Sequence, residues 1–146
     1  KLNELIILEK NNNQLTSFCL RLINKGINLD NTHFIYVIVW NLEKIADEYK
    51  YIIQYIAKNR IKISEDTIEF YKETNQYLKD YYNLYYTFKP ELMNELNDKR
   101  NRLLHNTKLN NDEINVLNNL LSIISKLSDM SSSIVAINHE KITNNL

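Results

Sequence analysis

Two carboxylates four positions apart, Glu43 and Asp47, are the residues of this sequence whose spacing most resembles a pair of metal ligands. On a helix they lie one turn apart and share one side. Oxygen ligands placed in this way can hold a hard or borderline metal ion. The same spacing also fits a solvated face on which Lys44 pairs with Glu48 and Asp47 pairs with Lys50. The residues alone leave both interpretations open.

The other residue types that often carry catalysis lack a catalytic spacing. The histidines are His33, His105 and His139, and no Glu-x-x-His pair occurs, which argues against a ferritin-like di-iron enzyme. The sequence has no HExxH and no CxxC, and its lone glycine, Gly26, excludes a glycine-rich phosphate loop. Cys19 falls on an apolar stripe, where a buried and inert thiol is expected. We therefore expect a protein that is not an enzyme.

Six tyrosines crowd one predicted helix: Tyr71, Tyr77, Tyr81, Tyr82, Tyr85 and Tyr86. Tyrosine on an apolar stripe usually packs in the core with its hydroxyl reaching water. A surface cluster of tyrosines can instead anchor a protein partner, because aromatic side chains dominate interface energetics. Among these residues we predict Tyr77, Tyr81, Tyr82 and Tyr86 as a contact or dimer surface.

Composition restricts the fold that must position these residues. A chain of 146 residues fits one domain. It contains one Gly and one Pro, where average usage supplies roughly ten and seven. Turn-rich sandwiches and barrels are therefore excluded, and the sequence predicts an all-α protein. The 18 basic and 18 acidic side chains balance, which argues against direct binding of nucleic acid by this segment.

Composition also bears on location. The single Cys19 cannot form an internal disulfide and fits a reducing compartment. No apolar run reaches the roughly 18 residues of a membrane span. The sequence shows no signal peptide. We therefore expect a cytoplasmic protein without membrane insertion. Because the sequence begins at Lys1 instead of Met, we expect it to be a piece of a longer protein.

Apolar residues recur at steps of three and four in five segments, which predicts five helices. Gly26 marks the end of the first helix, Ser64 the start of the third, and Pro90 the start of the fourth. The predicted ranges are about 2–25, 32–59, 64 to just before Pro90, 90–105 and 110–141. Long helices joined by short links predict an antiparallel up-down bundle.

One run of residues resembles a known signature. Trp40-Asn-Leu-Glu-Lys-Ile-Ala-Asp-Glu48 resembles the Leu-Glu-Arg-Ile-Gly/Ala-Asp-His/Glu motif of the PhoU family of phosphate-uptake regulators. Residues 124–134, which include Ser125 and Asp129, resemble a decayed second copy. Residues 11–22 are similar to an acid-bearing helix of archaeal members, and the order of the three segments matches the family.

The resemblance implies a fold and a set of partners. Family members contain two three-helix units, so residues 1–60 would complete the first unit and 61–146 would form the second, packed as one domain. The first helix of the first unit would then lie upstream, and archaeal relatives often carry an AbrB-type DNA-binding domain before the PhoU region. The implied function is non-enzymatic regulation of phosphate uptake through protein contact. The implied partners are the ATPase of the phosphate ABC transporter or a transcriptional module, and a homodimer is expected.

The resemblance also implies a metal site that this sequence only partly retains. Metal-bearing members bind iron or zinc through ExxxD carboxylates, which correspond here to Glu43, Asp47 and Asp129. Asn11, Asn13 and Ser125 stand where related proteins place acids. Because uncharged oxygens weaken such a cluster, we expect no bound multinuclear metal and no cofactor.

Two alternatives accompany this reading. The first is a metal-binding sensor or enzyme that uses Glu43, Asp47 and Asp129 with iron or zinc. The second is a structural helical scaffold without a regulatory role.

Overall fold

The computed structural model describes residues 2–26, 31–106 and 111–138, and within these ranges the chain is an all-α bundle without strands. Its helices are α1 (Leu2–Asn24), α2 (Thr32–Asn59), α3 (Glu65–Tyr86), α4 (Pro90–Asn106), α5 (Ile114–Asp129) and α6 (Ser131–Ile137), with a 3₁₀ turn at Asn111–Glu113 before α5. The predicted fold class is confirmed. The division into two three-helix units stays a prediction.

Local sequence signals place most of the helix ends. Gly26 follows α1 with a φ of 64°, a left-handed conformation that glycine adopts without a steric penalty. The side chain of Ser64 accepts a hydrogen bond from the Thr67 N–H and caps α3. Pro90 is the first residue of α4, where its missing N–H costs nothing. The predicted bounds of α2 match the observed ones.

The fifth predicted helix, about 110–141, is not continuous in the structure. α5 ends at Asp129, and α6 begins two residues later at Ser131. At the break, the Met130 N–H bonds to the Leu127 carbonyl three residues back, at 3.2 Å. Ser128 and the serines at 131–133 flank this point, and serine side chains compete with helical backbone hydrogen bonds. The predicted helix is therefore confirmed from Ile114 to Ile137 apart from this interruption at Met130, and the part beyond 138 lies outside the described residues.

α5 is the central helix of the bundle because it packs against α2, α3 and α4. Its buried side chains are Val116, Leu117, Leu120, Ile123, Ile124 and Leu127. α2 contributes Ile45 and Ile52 to this core, and α3 contributes Tyr77 and Leu84. α1 lies outside this arrangement and packs against α2. The core is thus built around one apolar helix.

Contrary to the expectation from the sequence, one stretch, Ile114–Ile137, is long and apolar enough to cross a membrane, judged on length and composition alone. It spans 24 residues with a mean hydropathy of 1.4 in its most apolar window. The same stretch is the core helix of the bundle, and a core helix passes the same test. Its packing against three neighbours accounts for its apolar composition.

Candidate functional site

The predicted carboxylates Glu43 and Asp47 lie within a group of charged side chains at the contact between α1 and α2. Lys44 Nζ lies 2.8 Å from Glu43 Oε2 and 3.7 Å from Asp47 Oδ2. The contact with Glu43 has the geometry of an ion pair but not that of an aligned hydrogen bond. Lys50 Nζ donates to Asp47 Oδ1 at 2.8 Å and to Glu9 Oε1 at 2.9 Å. We call Glu9, Glu43, Lys44, Asp47 and Lys50 the charge cluster.

Within the charge cluster, the surroundings of Lys44, Asp47 and Lys50 stabilise the ionised forms of these three side chains. Burial by itself would raise the pKa of Asp47, but the hydrogen bond from Lys50 and the charges of Lys50 and Lys44 together lower it. The hydrogen bond to Asp47 in turn raises the pKa of Lys50. At neutral pH the two lysines therefore stand as ammonium groups beside the carboxylates. They supply the positive charge that a metal ion would otherwise bring.

The third predicted ligand, Asp129, is exposed on α5, as is Ser125. Glu43, Asp47 and Asp129 do not come together, because no group of three or more His, Cys, Asp or Glu side chains in the described ranges is arranged to hold a metal ion. The first copy of the signature, with Glu43 and Asp47, therefore lies in the charge cluster, whereas the second copy, with Ser125 and Asp129, faces solvent.

A different polar contact joins α2 to α5. Glu48 Oε1 accepts hydrogen bonds from Ser122 Oγ at 2.8 Å and from Lys126 Nζ at 2.7 Å. The predicted partner of Glu48 was Lys44, one turn away on the same helix. Lys44 pairs instead with Glu43 and Asp47, so this part of the prediction was wrong. The Asp47–Lys50 pair is confirmed.

The histidines and the cysteine stand apart from this cluster. His33 and His105 are exposed at the ends of two helices. His139 lies outside the described residues. Cys19 is half-buried on α1 instead of fully buried as expected. None of these described side chains joins a group suited to metal binding.

An apolar groove opens between α2 and α3 at the end of the helix pair that lies far from the link at residues 60–64. In their middle parts the two helices are joined, because the Tyr49 hydroxyl donates to Asn75 Oδ1 at 2.6 Å and the Tyr49 ring packs edge-on against Tyr71. Toward the other end, α2 and α3 enclose a groove of about 550 Å³. Its lining residues are Ile35, Ile38, Val39, Leu42, Leu78, Lys79, Tyr81, Tyr82, Tyr85, Tyr86, Met130 and Ile134.

The structure divides the four predicted contact tyrosines into two pairs. Tyr77 is fully buried and Tyr81 is 2% exposed, so neither ring offers surface to a partner. Tyr82 and Tyr86 are 62% and 65% exposed, lie one turn apart with ring centroids 4.7 Å from each other, and line the groove. The groove therefore has an exposed aromatic edge on α3.

Of the buried pair, Tyr81 lines the groove, and Tyr77 packs edge-on against Tyr81 without lining the groove. The Tyr77 hydroxyl donates to the Tyr81 hydroxyl at 3.4 Å, and the Tyr81 hydroxyl lies 2.6 Å from Ser131 Oγ. Ser131 is the first residue after the break at Met130, so the interruption of the core helix brings a hydroxyl to this position. Burial and the hydrogen bond to Tyr81 raise the pKa of Tyr77 above its ordinary value of 10.

The groove was not predicted from the sequence. Its α2 wall contains buried Ile38 together with Ile35, Val39 and Leu42, and these last three extend the apolar stripe of α2 beyond a single face. The width of that stripe is the signal in the sequence, because a helix with one neighbour needs only a narrow one. Periodicity does not show whether the additional apolar side chains pack against another helix or line an open groove.

Comparisons with models of known protein families, with curated proteins and with solved structures give no match to this chain. The resemblance to the PhoU family rests on the residues of α1, α2 and α5 quoted above.

Proposed function

We propose that this chain is a non-enzymatic, PhoU-like regulator of phosphate uptake that works in the cytoplasm by binding other proteins through the groove between α2 and α3. The observation that carries the proposal is the groove itself, with its apolar floor and exposed aromatic edge. Sites of this kind suit a helix or loop of a partner protein, which can place apolar anchors in the opening.

The electrostatics of the groove favour a partner with an acidic side chain. Lys79 lines the groove and makes no ion pair with any residue that the structure describes. Lys44, Lys50, Lys99 and Lys126, in contrast, each lie within 4 Å of a carboxylate. A carboxylate on the partner, placed next to its apolar anchors, would pair with Lys79 and fix the orientation of binding.

The partners implied by the resemblance are the ATPase of the phosphate ABC transporter and a transcriptional module. The test is a binding titration of the purified protein with the transporter ATPase encoded in the same genome. Replacing both exposed tyrosines (Tyr82→Ala with Tyr86→Ala) should weaken binding at least about tenfold, because aromatic anchors often carry more than 1 kcal/mol each.

A matched control is Tyr51→Ala, since Tyr51 is 46% exposed on α2 but does not line the groove. This variant should bind like the wild type. The proposal fails if the wild type binds neither the ATPase nor the transcriptional module at about 100 µM, or if the groove variant and the control lose affinity equally.

We further propose that the protein functions without a bound multinuclear metal cluster. Support comes from Lys44 and Lys50, which neutralise Glu43 and Asp47, and from the separate position of Asp129. Elemental analysis of protein purified without added metal tests this point. Iron or zinc in stoichiometric amount would contradict it and would favour the metal-sensor alternative.

A further inference from the structure

The groove between α2 and α3 has the size of a site for a small molecule. Its volume of about 550 Å³ falls within the range of roughly 300 to 1,000 Å³ that ligand pockets occupy. Buried apolar side chains form its floor, namely Ile38, Met130 and Ile134. Around the opening, Leu42 and Tyr86 are 43% and 65% exposed, so part of the apolar lining is open to water. An apolar ligand that fits the groove removes this surface from water.

The charge in the groove lies at one end of it. Among the lining residues that the structure describes, Lys79 alone carries a charge, and it is exposed near the first residue of α3 that lines the groove, Leu78. Along α3 the lining then continues to Tyr86 with aromatic rings and without a further charge. A ligand that matches this pattern carries one anionic group at one end and apolar atoms along the rest of its length.

The length of the groove indicates the length of the ligand. Lys79 and Tyr86 are seven residues apart on α3, which corresponds to about 10 Å along the helix axis. An extended alkyl chain, with bonds of about 1.52 Å and near-tetrahedral angles, advances about 1.25 Å per bond. About eight bonds therefore span this distance. With its carboxyl group included, the matching ligand is a straight-chain carboxylate of about ten carbons.

We infer that the groove binds the carboxylate form of a medium-chain fatty acid, with the carboxylate at Lys79 and the alkyl chain on the apolar floor. The bound chain occupies the space that the apolar anchors of a protein partner would enter. The fatty acid therefore competes with that partner and lowers its affinity. The competition rests on the proposed function, whereas binding of the fatty acid itself does not.

Titration calorimetry of the full chain with octanoate, decanoate and dodecanoate tests the inference without any protein partner. Decanoate should bind with a dissociation constant of about 100 µM or below. Affinity should rise about fivefold from octanoate to decanoate, because the added methylene groups leave water. The step from decanoate to dodecanoate should add less than about twofold, since the additional carbons extend beyond Tyr86.

The position of the carboxylate is tested by Lys79→Met, which keeps a long side chain and removes its charge. This variant should bind decanoate about threefold to fivefold more weakly, but it should bind the uncharged ligand decanol like the wild type. The matched control is Lys72→Met, because Lys72 is exposed on α3 and does not line the groove. It should bind both ligands like the wild type.

Three results would overturn the inference. The first is no binding of decanoate at about 1 mM, and the second is equal affinity for octanoate and decanoate. The third is a Lys79→Met variant whose affinities for decanoate and decanol fall equally. Circular dichroism shows whether the variants remain helical, which is expected because both lysines are exposed.

Competition is measured separately, by repeating the titration with the transporter ATPase in the presence of decanoate. Decanoate at about ten times its dissociation constant should weaken binding of the ATPase about tenfold. Unchanged affinity for the ATPase would contradict the competition. An ATPase that does not bind at all would contradict the proposed function and leave the fatty-acid site unaffected.

Discussion

α1 and α5 both carry an apolar stripe of helical period, yet the bundle uses them in opposite ways. α5 packs against three helices and has six buried side chains, whereas α1 packs on α2 and none of its described side chains is buried. Leu120 of α5 is fully buried, while Leu15 of α1 is 64% exposed. Burial of a stripe depends on how many neighbours surround the helix, which the stripe alone does not encode.

The largest expected effect comes from shortening a core side chain of α5. Leu120→Ala should lower the free energy of unfolding by about 3 to 4 kcal/mol, because it removes buried methyl groups and leaves a cavity. The matched change on α1, Leu15→Ala, should cost less than about 0.5 kcal/mol at concentrations where the chain is a monomer. Denaturant titrations of the two variants measure both values. Similar losses would contradict the difference in burial between the helices.

A smaller effect is expected from the buried carboxylate that ties the start of α5 to α3. Glu113 is 3% exposed and accepts hydrogen bonds from the Ser64 N–H and the Ser64 hydroxyl, each at 2.9 Å. Glu113→Gln should cost about 2 kcal/mol at pH 7, since bonds to an ionised acceptor are lost or weakened. The exposed Glu73→Gln is the control and should be nearly neutral.

The pH dependence of this effect follows from the pKa of Glu113. Burial would by itself raise that pKa, but the hydrogen bonds from Thr67 and Ser64 outweigh it and hold the pKa below its ordinary value of 4.5. A lowered pKa stabilises the fold above the ordinary value, and this stability disappears as the pH falls through the folded value. The difference in stability between wild type and Glu113→Gln should therefore shrink below about pH 4.5. A difference that stays constant down to about pH 3 would contradict this assignment.

The smallest effect is expected at the contact that holds α1 on the bundle. Lys50→Met removes the ion pairs with Glu9 and Asp47. It should lower the free energy that holds α1 on α2 by about 0.5 to 1 kcal/mol, and hydrogen exchange of the α1 amides should become faster. High salt should produce part of the same loosening in the wild type, because it screens partly exposed charges. Exchange in α5 should not change.

The control for this experiment is Lys72→Met. Lys72 pairs with Glu69 within α3, at 3.1 Å, and both side chains are largely exposed. Its removal should leave exchange in α1 unchanged. Unchanged α1 protection in Lys50→Met would mean that apolar contacts alone hold this helix on α2.

The carboxylate pair and the tyrosines show how far a candidate site can be predicted from sequence. Helical spacing correctly placed Glu43 beside Asp47, because residues four apart on one helix are always neighbours. It did not reveal Lys126 as the partner of Glu48, since that contact joins residues 78 positions apart in the chain. Nor did it separate buried Tyr81 from exposed Tyr82, because adjacent residues on a helix differ by 100° and only the position of the neighbouring helices decides which one is covered.

The sequence by itself determined where most helices begin and end and that the chain is all-α. Ser64, Pro90 and Gly26 act through hydrogen bonds and backbone angles within a few residues, so their effect can be predicted without knowing the fold. Tertiary structure alone decided that Ile124 is buried in α5 while Leu42, its counterpart in the repeated signature, is 43% exposed at the groove. Burial, and with it the groove and the uncovered face of α1, depends on contacts between helices far apart in the chain.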